Sequence, residues 1–212
     1  MNVLVTAGAT REPIDAVRFI SNISSGATGA ALADALAAHG HTVTLLRGEG
    51  SVAATSIHDQ ETFCSAADLA DRLRRRLASG TVGAVIMAAA VSDFRVAEEY
   101  AGKISSTLPE LTVRLVRNAK ILPQLKSWSP HPLRVIGFKL TVGADAPARQ
   151  AAVAAQFAAG GVDAVVHNDL REVLAVARSA HPLRLYRTPA VEPAALAGIA
   201  ALAAALTPLL AP

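Results

Sequence analysis

Residues 24–46 read SSGATGAALADALAAHGHTVTLL, and this stretch indicates the fold class. Apolar side chains recur at helical spacing between Ser25 and His39, and Gly40 then ends the predicted helix. The run HTVTLL that follows is typical of a strand, as is NVLVTAG at residues 2–8. Strand, loop, helix and strand in this order predict one unit of a parallel sheet.

The same alternation continues along the chain. Further helices are predicted at 67–78, 118–128, 146–161 and 192–212, and further strands at 82–90, 111–116, 133–140, 162–169 and 183–187. An α/β fold follows: a Rossmann-like, open and mostly parallel sheet with helices on both faces, with a short strand insertion, in a single domain over residues 1–212. The polar stretch 94–109 interrupts this rhythm and is predicted to be a functional loop.

The loops that follow four of the predicted strands converge on one edge of this sheet. Right-handed crossovers place along the carboxyl edge the residues after Thr6, Met87, Phe138 and His167. Open α/β sheets bind their ligands at that edge. We therefore expect the functional site there.

Composition excludes several classes of protein. The chain has 212 residues, of which 52% are apolar, yet no segment offers the ~20 uninterrupted large apolar residues of a membrane span. A net charge of +3 is too small to indicate nucleic-acid binding, and the six histidines form no metal-ligand pattern. With one cysteine, Cys64, and no signal-peptide pattern at the start, the chain is expected in the cytoplasm.

The segment SNISSGATG at 21–29 has an unusual set of small and polar residues where a helix begins. A helix N-terminus presents free N–H groups and partial positive charge, and Ser24, Ser25 and Gly26 would let a phosphate approach them. The alternative is that one serine only caps the helix. The stretch TAGATREP lacks the glycine spacing of a dinucleotide fingerprint, and SSGATGAA lacks the lysine of a P-loop. An anion site of another kind is therefore predicted.

Three residues after the strand at 82–90 have side chains suited to a nucleotide. Asp93 is placed to contact Mg²⁺ or a ribose, Phe94 to stack on a base, and Lys103 to reach a phosphate. For Phe94 the alternative is a place in the core, and for Lys103 an exposed surface position. No direct motif for a bound metal is present, so Asp93 is the Mg²⁺ contact that the sequence predicts.

Taken in order, these motifs resemble one family, phosphopantothenoylcysteine synthetase, the phosphopantothenate–cysteine ligase domain of the bacterial coenzyme A biosynthesis flavoproteins. The similarity lies in VTAGATREPIDAVRFISNISSGATGAALADAL, AAAVSDFR, KI, LTVRLVRNAKIL, IGFKLT and VDAVVHNDL, and covers roughly residues 2–170. Most of the first segment matches the family pattern as one unbroken string.

The resemblance implies a two-step ligation. A nucleoside triphosphate, CTP in bacterial members or else ATP, activates the carboxylate of 4'-phosphopantothenate as an acyl-nucleotide, which the amine of cysteine then attacks. The expected ligands are phosphopantothenate, cysteine, the nucleotide and Mg²⁺, without flavin. A separate polypeptide would supply the decarboxylase that precedes the ligase in most bacterial versions. The resemblance also implies a homodimer, with a dimerisation insertion at about 94–117.

Carried over by position, the resemblance assigns roles to single residues. Asn22 matches the family asparagine that handles the acyl-nucleotide, Arg18 matches a nearby arginine, and Lys103 matches the lysine needed to form the intermediate. Substrate and nucleotide would be bound by Gly8, Ser24, Ser25, Gly26, Ala89, Asp93, Phe94, Asn118, Phe138 and Lys139.

The chain departs from the family pattern at several positions. Ser105 and Ser106 stand where the family has further lysines, and Lys120 stands where it has an acid, a change that alters nucleotide contacts or supplies positive charge. The predicted helix at 146–161 also lacks the lysines common there. These departures leave open a non-catalytic paralogue that binds a nucleotide or a pantetheine-like ligand, and the fold alone leaves open a Rossmann-type oxidoreductase.

Overall fold

The structure is a computed structural model that describes residues 1–211. Pro212, the last residue of the predicted terminal helix, lies outside the described residues. The described strands are Asn2–Ala7 (β1), Arg11–Asp15 (β2), Arg18–Ser21 (β3), Thr42–Gly48 (β4), Gln60–Phe63 (β5), Ala84–Met87 (β6), Phe94–Val96 (β7), Leu115–Arg117 (β8), Arg134–Thr141 (β9), Ala164–Asp169 (β10), Pro182–Tyr186 (β11) and Ala194–Ala197 (β12). The described α-helices are Ala27–Ala38 (α1), Ala66–Ala78 (α2), Leu125–Trp128 (α3), Ala146–Ala158 (α4), Leu170–Leu174 (α5) and Gly198–Leu206 (α6).

Eight strands within residues 1–211 form one sheet in the order β5-β4-β1-β6-β9-β10-β11-β12. The first six run parallel to one another. At the β10 edge, β11 pairs antiparallel with β10, and β12 pairs antiparallel with β11. The predicted Rossmann-like, mostly parallel α/β sheet is therefore confirmed. The strand order reverses around β1, and a crevice forms at such a point on the carboxyl edge of an open sheet.

Helices cover both faces of the sheet, as the alternation of side chains in β1 requires. Val3 and Val5 belong to a core cluster with side chains of α1 and α6, whereas Leu4 belongs to a second cluster with side chains of α2 and α3. On this second side, Val153 of α4 packs with Val165 of β10. Burying each of these large apolar side chains stabilises the fold by about 1.5–3 kcal/mol. Every helix within residues 1–211 falls short of the length and apolar character that a membrane crossing requires.

The C-terminal segment differs from its prediction. A helix was expected from Glu192, but Ala194–Ala197 form β12, and α6 begins only at Gly198. β12 pairs with β11 through partners such as Leu196 and Leu183, and satisfies backbone groups that β11 would otherwise leave unpaired. This prediction was wrong because sheet pairing outweighs the helix propensity of a short alanine-rich run.

Two smaller differences concern the predicted elements at 111–116 and 118–128. The strand is only Leu115–Arg117, and the helix is a 3-10 turn at Leu122–Gln124 followed by α3. Elements this short have few internal hydrogen bonds, so tertiary contacts decide their boundaries.

Two antiparallel hairpins stand outside the main sheet, beyond the carboxyl ends of β1 and β6. One pairs β2 with β3, and the other pairs β7 with β8. They are joined by backbone hydrogen bonds from Ala16 N to Gly102 O and from Tyr100 N to Ile14 O, each 3.0 Å long. The segment 94–117 is therefore fastened to the first hairpin and lies beside the carboxyl edge of the sheet.

Candidate active site

A cleft of about 830 Å³ lies at the carboxyl edge of the sheet, between the start of α1, the ends of β6, β9 and β10, and α4. This is the edge that the sequence predicts. The predicted site residues that line the cleft are Asn22, Ser24, Ala89, Asp93, Phe138 and Lys139. The predicted site residues outside its lining are Gly8, Arg18, Ser25, Gly26, Phe94, Lys103 and Asn118.

Asn22 spans two segments of the cleft wall. Its side-chain amide donates to the carbonyl oxygens of Ala90 and Val91 at 3.4 and 3.3 Å. The segment that carries these carbonyls is itself fixed to the end of β1, because Ala90 N donates to Gly8 O at 2.7 Å. No donor within residues 1–211 contacts Asn22 Oδ1, so this oxygen is available to a ligand.

The N-terminus of α1 opens toward the cleft and suits an anion. The N-cap residue of the helix is Gly26, which has no side chain to cap it, and the first turn contains no acidic residue. Ser24 Oγ accepts from Gly26 N, and Ser25 Oγ accepts from Ala27 N, both at a long 3.4 Å. Ser24 and Thr28 line the cleft, and the helix dipole adds partial positive charge beside them.

Gly8 and Gly26 serve the packing behind this helix start. Gly26 has φ +76°, and a Cβ on it would lie 2.8 Å from Ser51 Cβ and 3.0 Å from Gly8 N. A Cβ on Gly8 would lie 2.7 Å from the same Ser51 atom. The left-handed backbone of Gly26 turns the chain into α1, which therefore begins at Ala27 and not at the predicted Ser25.

Asp93 and Lys120 form an ion pair inside the cleft, with 2.5 Å between Asp93 Oδ1 and Lys120 Nζ. Asn118 holds the Asp93 segment from behind, since its backbone N donates to Asp93 O at 2.9 Å and its side-chain amide donates to Ser92 O at 3.1 Å. Phe94 is 44% exposed and lies under the guanidinium of Arg117, 5.8 Å from ring centre to Cζ. The Phe94 ring is therefore neither buried in the core nor part of the cleft lining.

Arg18 and Asp15 fix the segment that carries Lys103. Arg18 Nη2 lies 2.7 Å from Asp15 Oδ2 and donates to Ile104 O at 2.6 Å, and Asp15 Oδ2 accepts from Ile104 N at 3.0 Å. Burial raises the pKa of Asp15, but hydrogen bonds from the Val17 and Ile104 N–H groups outweigh it, and the pKa is lowered. Lys103 itself is exposed and lies outside the cleft lining.

Several residues of the cleft lining were absent from the predicted set. Asn168 was detectable, because it is polar and ends a parallel strand. The residues that α4 contributes are mostly alanines, which gave no chemical signal, and packing of the helix against β9 and β10 brings them to the cleft. The lining residues outside the predicted set are Ile23, Thr28, Ala88, Ala90, Val91, Lys120, Pro123, Leu140, Ala152, Ala155, Gln156, Ala159, Asn168 and Leu170.

A buried polar network supports the wall at the ends of β9 and β10. Thr141 Oγ1 donates to Asp169 Oδ2 at 2.7 Å and lies 2.9 Å from His167 Nε2. Asp169 also accepts from the backbone N–H groups of Gly143 and Ala144 at 2.9 and 3.0 Å. The hydrogen bond from Thr141, with those backbone bonds, holds the pKa of Asp169 far below its usual range. Asp169 therefore stays ionised and fixes the loop after β9.

His167 is neutral in this network at neutral pH. Burial, with a contribution from Arg184, lowers the pKa of His167 to about 4. Because Thr141 donates to Asp169, His167 Nε2 carries the proton and donates to Thr141 Oγ1.

The cleft offers limited means to hold a metal ion. Asp93 is the one carboxylate among its lining residues, and residues 1–211 contain no group of three or more His, Cys, Asp or Glu side chains that could hold a metal. Mg²⁺ binds through one or two carboxylates together with substrate phosphates and water. The residues present therefore fit Mg²⁺ that arrives with a nucleotide, and they do not form a preformed metal cage.

The family model for the DNA/pantothenate metabolism flavoprotein C-terminal domain matches residues 1–206. The chain belongs to this family. The resemblance to phosphopantothenoylcysteine synthetase predicted from the motifs is thereby confirmed.

A curated relative is the coenzyme A biosynthesis bifunctional protein CoaBC of Thermococcus kodakarensis. It is 37% identical over 169 residues, which are 80% of this chain and 41% of the relative. The chain thus spans about two fifths of the length of that bifunctional protein.

Solved structures of similar proteins share the fold. The DNA/pantothenate metabolism flavoprotein from Streptococcus pneumoniae matches with a TM-score of 0.85 at 22% identity, covering 99% of this chain and 98% of that chain. A Cab2 variant in complex with phosphopantothenate-cysteine matches with a TM-score of 0.78 at 20% identity, covering 99% of this chain and 84% of that chain. At these identities the likeness shows the fold alone.

Proposed function

We propose that the chain joins 4'-phosphopantothenate to cysteine at the cost of a nucleoside triphosphate, in coenzyme A biosynthesis. The observation that carries this proposal is the single cleft that unites the open N-terminus of α1, Asn22 and the charged residues Asp93, Lys120 and Lys139. The family of the chain supports this reaction, and so does its similarity to bifunctional proteins of coenzyme A biosynthesis.

In the proposed reaction a carboxylate oxygen of phosphopantothenate attacks the α-phosphorus of the nucleotide, and pyrophosphate leaves. The amine of cysteine then attacks the acyl carbon, the nucleoside monophosphate leaves with the bonding electrons, and the amine proton passes to solvent. Both steps gather negative charge on phosphate oxygens, which fixed dipoles and cations stabilise. The start of α1 and Lys139 are the elements of the cleft that supply this stabilisation.

Asn22 and Lys103, the two residues proposed as catalytic, differ in their position relative to the cleft. Asn22 is already in the cleft wall, with its side-chain oxygen open to the acyl group of the intermediate. Lys103 lies outside the lining in this structure, so its proposed role requires its exposed side chain to reach the bound nucleotide from the segment that carries it. Arg18 contributes by holding that segment through Ile104.

CTP is the proposed nucleotide, with ATP as the alternative. Asp93 would hold Mg²⁺ together with phosphate oxygens of the nucleotide, and the ion would neutralise part of their charge. No flavin takes part in the proposed ligation.

A homodimer is proposed on the segment 94–117. This segment exposes several large apolar side chains beside a short, open hairpin edge, and such surfaces are covered in stable assemblies. They are Phe94, Tyr100, Leu108, Leu111 and Leu115. Sedimentation equilibrium at micromolar concentration tests this proposal: a mass near twice 21.8 kDa supports it, and a monomer contradicts it.

The function is tested by pyrophosphate release from the purified chain with phosphopantothenate, cysteine and Mg²⁺, comparing CTP, ATP and no nucleotide. Release that depends on phosphopantothenate supports the ligase and identifies the nucleotide. Nucleotide binding without turnover would instead favour the non-catalytic paralogue, which is consistent with Lys103 lying outside the cleft. An oxidoreductase is disfavoured, because the turn after β1, TAGATREP, lacks the glycine spacing of a dinucleotide fingerprint.

A further inference from the structure

Two oppositely charged side chains meet inside the cleft, although a nucleotide brings only negative charge to it. Lys120 Nζ lies 2.5 Å from Asp93 Oδ1, and 66% of the lysine side chain and 65% of the aspartate side chain are exposed. An ion pair with this much exposure is weak, because water and salt screen it. Each side chain can therefore exchange its partner for a ligand.

The backbone on both sides of the pair is fixed. Asn118 holds the Asp93 segment by hydrogen bonds to Asp93 O and Ser92 O. Gln124 donates from its side chain to Lys120 O at 2.6 Å. An exchange of partners thus needs only rotation about the side-chain bonds of Lys120, while the loops keep their places.

The balance of charge in the cleft favours such an exchange. Among the described residues that line it, the charged side chains are Asp93, Lys120 and Lys139. While Lys120 is paired with Asp93, Lys139 and the start of α1 are the positively charged parts of the described lining that remain available to a triphosphate. A triphosphate carries several negative charges and attracts an ammonium group more strongly than one exposed carboxylate does.

We propose that Lys120 is a phosphate-binding residue of the nucleotide site, held by Asp93 before binding and transferred to a nucleotide phosphate on binding. This inference rests on the proposed function. The transfer also frees the Asp93 carboxylate for a ribose hydroxyl or for Mg²⁺. The lysine that stands here in place of the family's acid thereby has a role in binding the nucleotide.

The first experiment measures the binding of CTP and ATP without Mg²⁺ by calorimetry, in the wild type and in Lys120→Met and Lys120→Arg. Lys120→Met keeps the length of the side chain and removes its charge, so the Kd of the triphosphate is expected to rise about tenfold. Lys120→Arg is expected to restore most of the affinity. Lys126→Met is the matched control, because Lys126 also pairs with an exposed aspartate, Asp163, at 2.6 Å but lies outside the cleft lining.

A second experiment tests the exchange itself through a double-mutant cycle. Asp93→Asn removes the competing carboxylate, so Lys120→Met is expected to cost more affinity in the Asp93→Asn background than in the wild type. If Lys120 only supported the loops through its pair with Asp93, its removal would cost less affinity in the Asp93→Asn background than in the wild type. A cost in that background that is equal to or smaller than the wild-type cost would therefore overturn the exchange.

The outcomes separate this inference from the proposed function. Equal triphosphate affinity in the wild type and Lys120→Met, with Lys126→Met unchanged, overturns the role of Lys120 and leaves the ligase proposal standing. A wild type that binds neither CTP nor ATP overturns both. Circular dichroism of each variant identifies a change that merely prevents folding, and Lys120→Arg then decides the question.

Discussion

The guanidinium of Arg18 donates a hydrogen bond to the backbone carbonyl of Ile104 across 2.6 Å, and this bond joins the β2-β3 hairpin to the segment that carries Lys103. The neighbouring carboxylate of Asp15 accepts a hydrogen bond from the backbone N–H of Ile104 at 3.0 Å. Both backbone groups of Ile104 are therefore held by one ion pair. Arg18, to which the family resemblance assigns a catalytic role, thus positions the segment that carries Lys103.

Replacing Arg18 tests that role. In Arg18→Met the amide hydrogen of Ile104 is expected to exchange about tenfold faster, because the bond to its carbonyl is lost and Asp15 loses its counter-ion. Hydrogen exchange followed by mass spectrometry measures this, and ligation activity is expected to fall with it. Arg114→Met is the control, since its partner Glu98 is 90% exposed and that pair is screened. Unchanged exchange at Ile104 would contradict the assignment.

Lys103→Gln is expected to abolish the first chemical step. If Lys103 stabilises charge on the transferring phosphoryl group, its loss lowers the rate of acyl-nucleotide formation by about 100-fold or more. The measurement is pyrophosphate release in a single turnover without cysteine. Lys126→Gln serves as the control, and a normal first turnover in Lys103→Gln would show that the role is misassigned.

Asn22→Asp is expected to slow the second step instead. A carboxylate at this position loses the hydrogen bonds to Ala90 O and Val91 O and places negative charge beside the acyl phosphate. The acyl-nucleotide should therefore persist, which quenched-flow analysis of the intermediate and of the amide product detects. An equal slowing of both steps would argue for general damage to the cleft.

The losses in free energy of unfolding caused by Gly26→Ala and Gly40→Ala are expected to differ, because only the first adds a steric conflict to the backbone strain. Both glycines are left-handed, with φ +76° and +84°, but a Cβ at Gly40 meets no atom within 4 Å. Gly40→Ala is expected to lower the free energy of unfolding by about 1–2 kcal/mol, from strain alone. Gly26→Ala should cost at least about 1 kcal/mol more, because Ser51 and the Gly8 backbone must move.

Urea denaturation measures both changes. Ser51→Gly is expected to recover part of the loss in Gly26→Ala and none of the loss in Gly40→Ala. Equal destabilisation by the two alanine variants would show that Ser51 does not constrain the helix start.

The stability of the protein is expected to depend on His167 between about pH 4 and pH 6.5. The pKa of this buried histidine is lowered to about 4 in the folded chain, while an unfolded histidine titrates near 6.5. The unfolded state binds the extra proton in this interval, so the contribution is complete above about pH 6.5 and decreases as the pH falls. One such group lowers the free energy of unfolding by about 1.4 kcal/mol per pH unit.

His167→Gln should flatten this part of the profile, because glutamine keeps a donor for Thr141 and does not titrate. Urea denaturation at pH 7.5, 6 and 5 measures the slope. His58→Gln, at an exposed position, should leave the slope as in the wild type. A wild-type profile that is flat over this range would contradict the neutral, buried assignment.

Local sequence patterns were sufficient for the parallel core. The apolar runs of β1, β4, β6, β9 and β10 and the periodicity of α1, α2 and α4 predicted those elements correctly. The strands β2, β3, β5 and β7 were missed, because strands of three to five residues have too little periodicity to be distinguished from loops, whereas β8 was predicted in part by the strand at 111–116. β12 was predicted as helix, since its alanines favour helix until β11 offers a partner.

Some residues of the predicted site could likewise be placed from the sequence, whereas others depend on packing. Asn22, Ser24, Asp93 and Lys139 lie at strand ends or helix starts, and the topology alone brings them to one edge. Gln156 and the alanines of α4 reach the cleft only through helix packing. The sequence shows that Lys120 departs from the family pattern, but not that it pairs with Asp93. That pairing joins residues 27 positions apart, in two loops that Asn118 holds together by its hydrogen bond to Ser92 O.

The fold class, the carboxyl edge where the cleft lies and the resemblance to the family could be read from the sequence, because strand and helix periodicity and contiguous motifs are local properties of the chain. Which motif residues meet became visible only in the folded chain. It brought Asp93 to Lys120, fastened the Lys103 segment through Arg18 to the first hairpin, and set Gly26 against Gly8 and Ser51. Such contacts depend on how distant segments pack and satisfy one another's hydrogen bonds, and no single stretch of sequence carries that information.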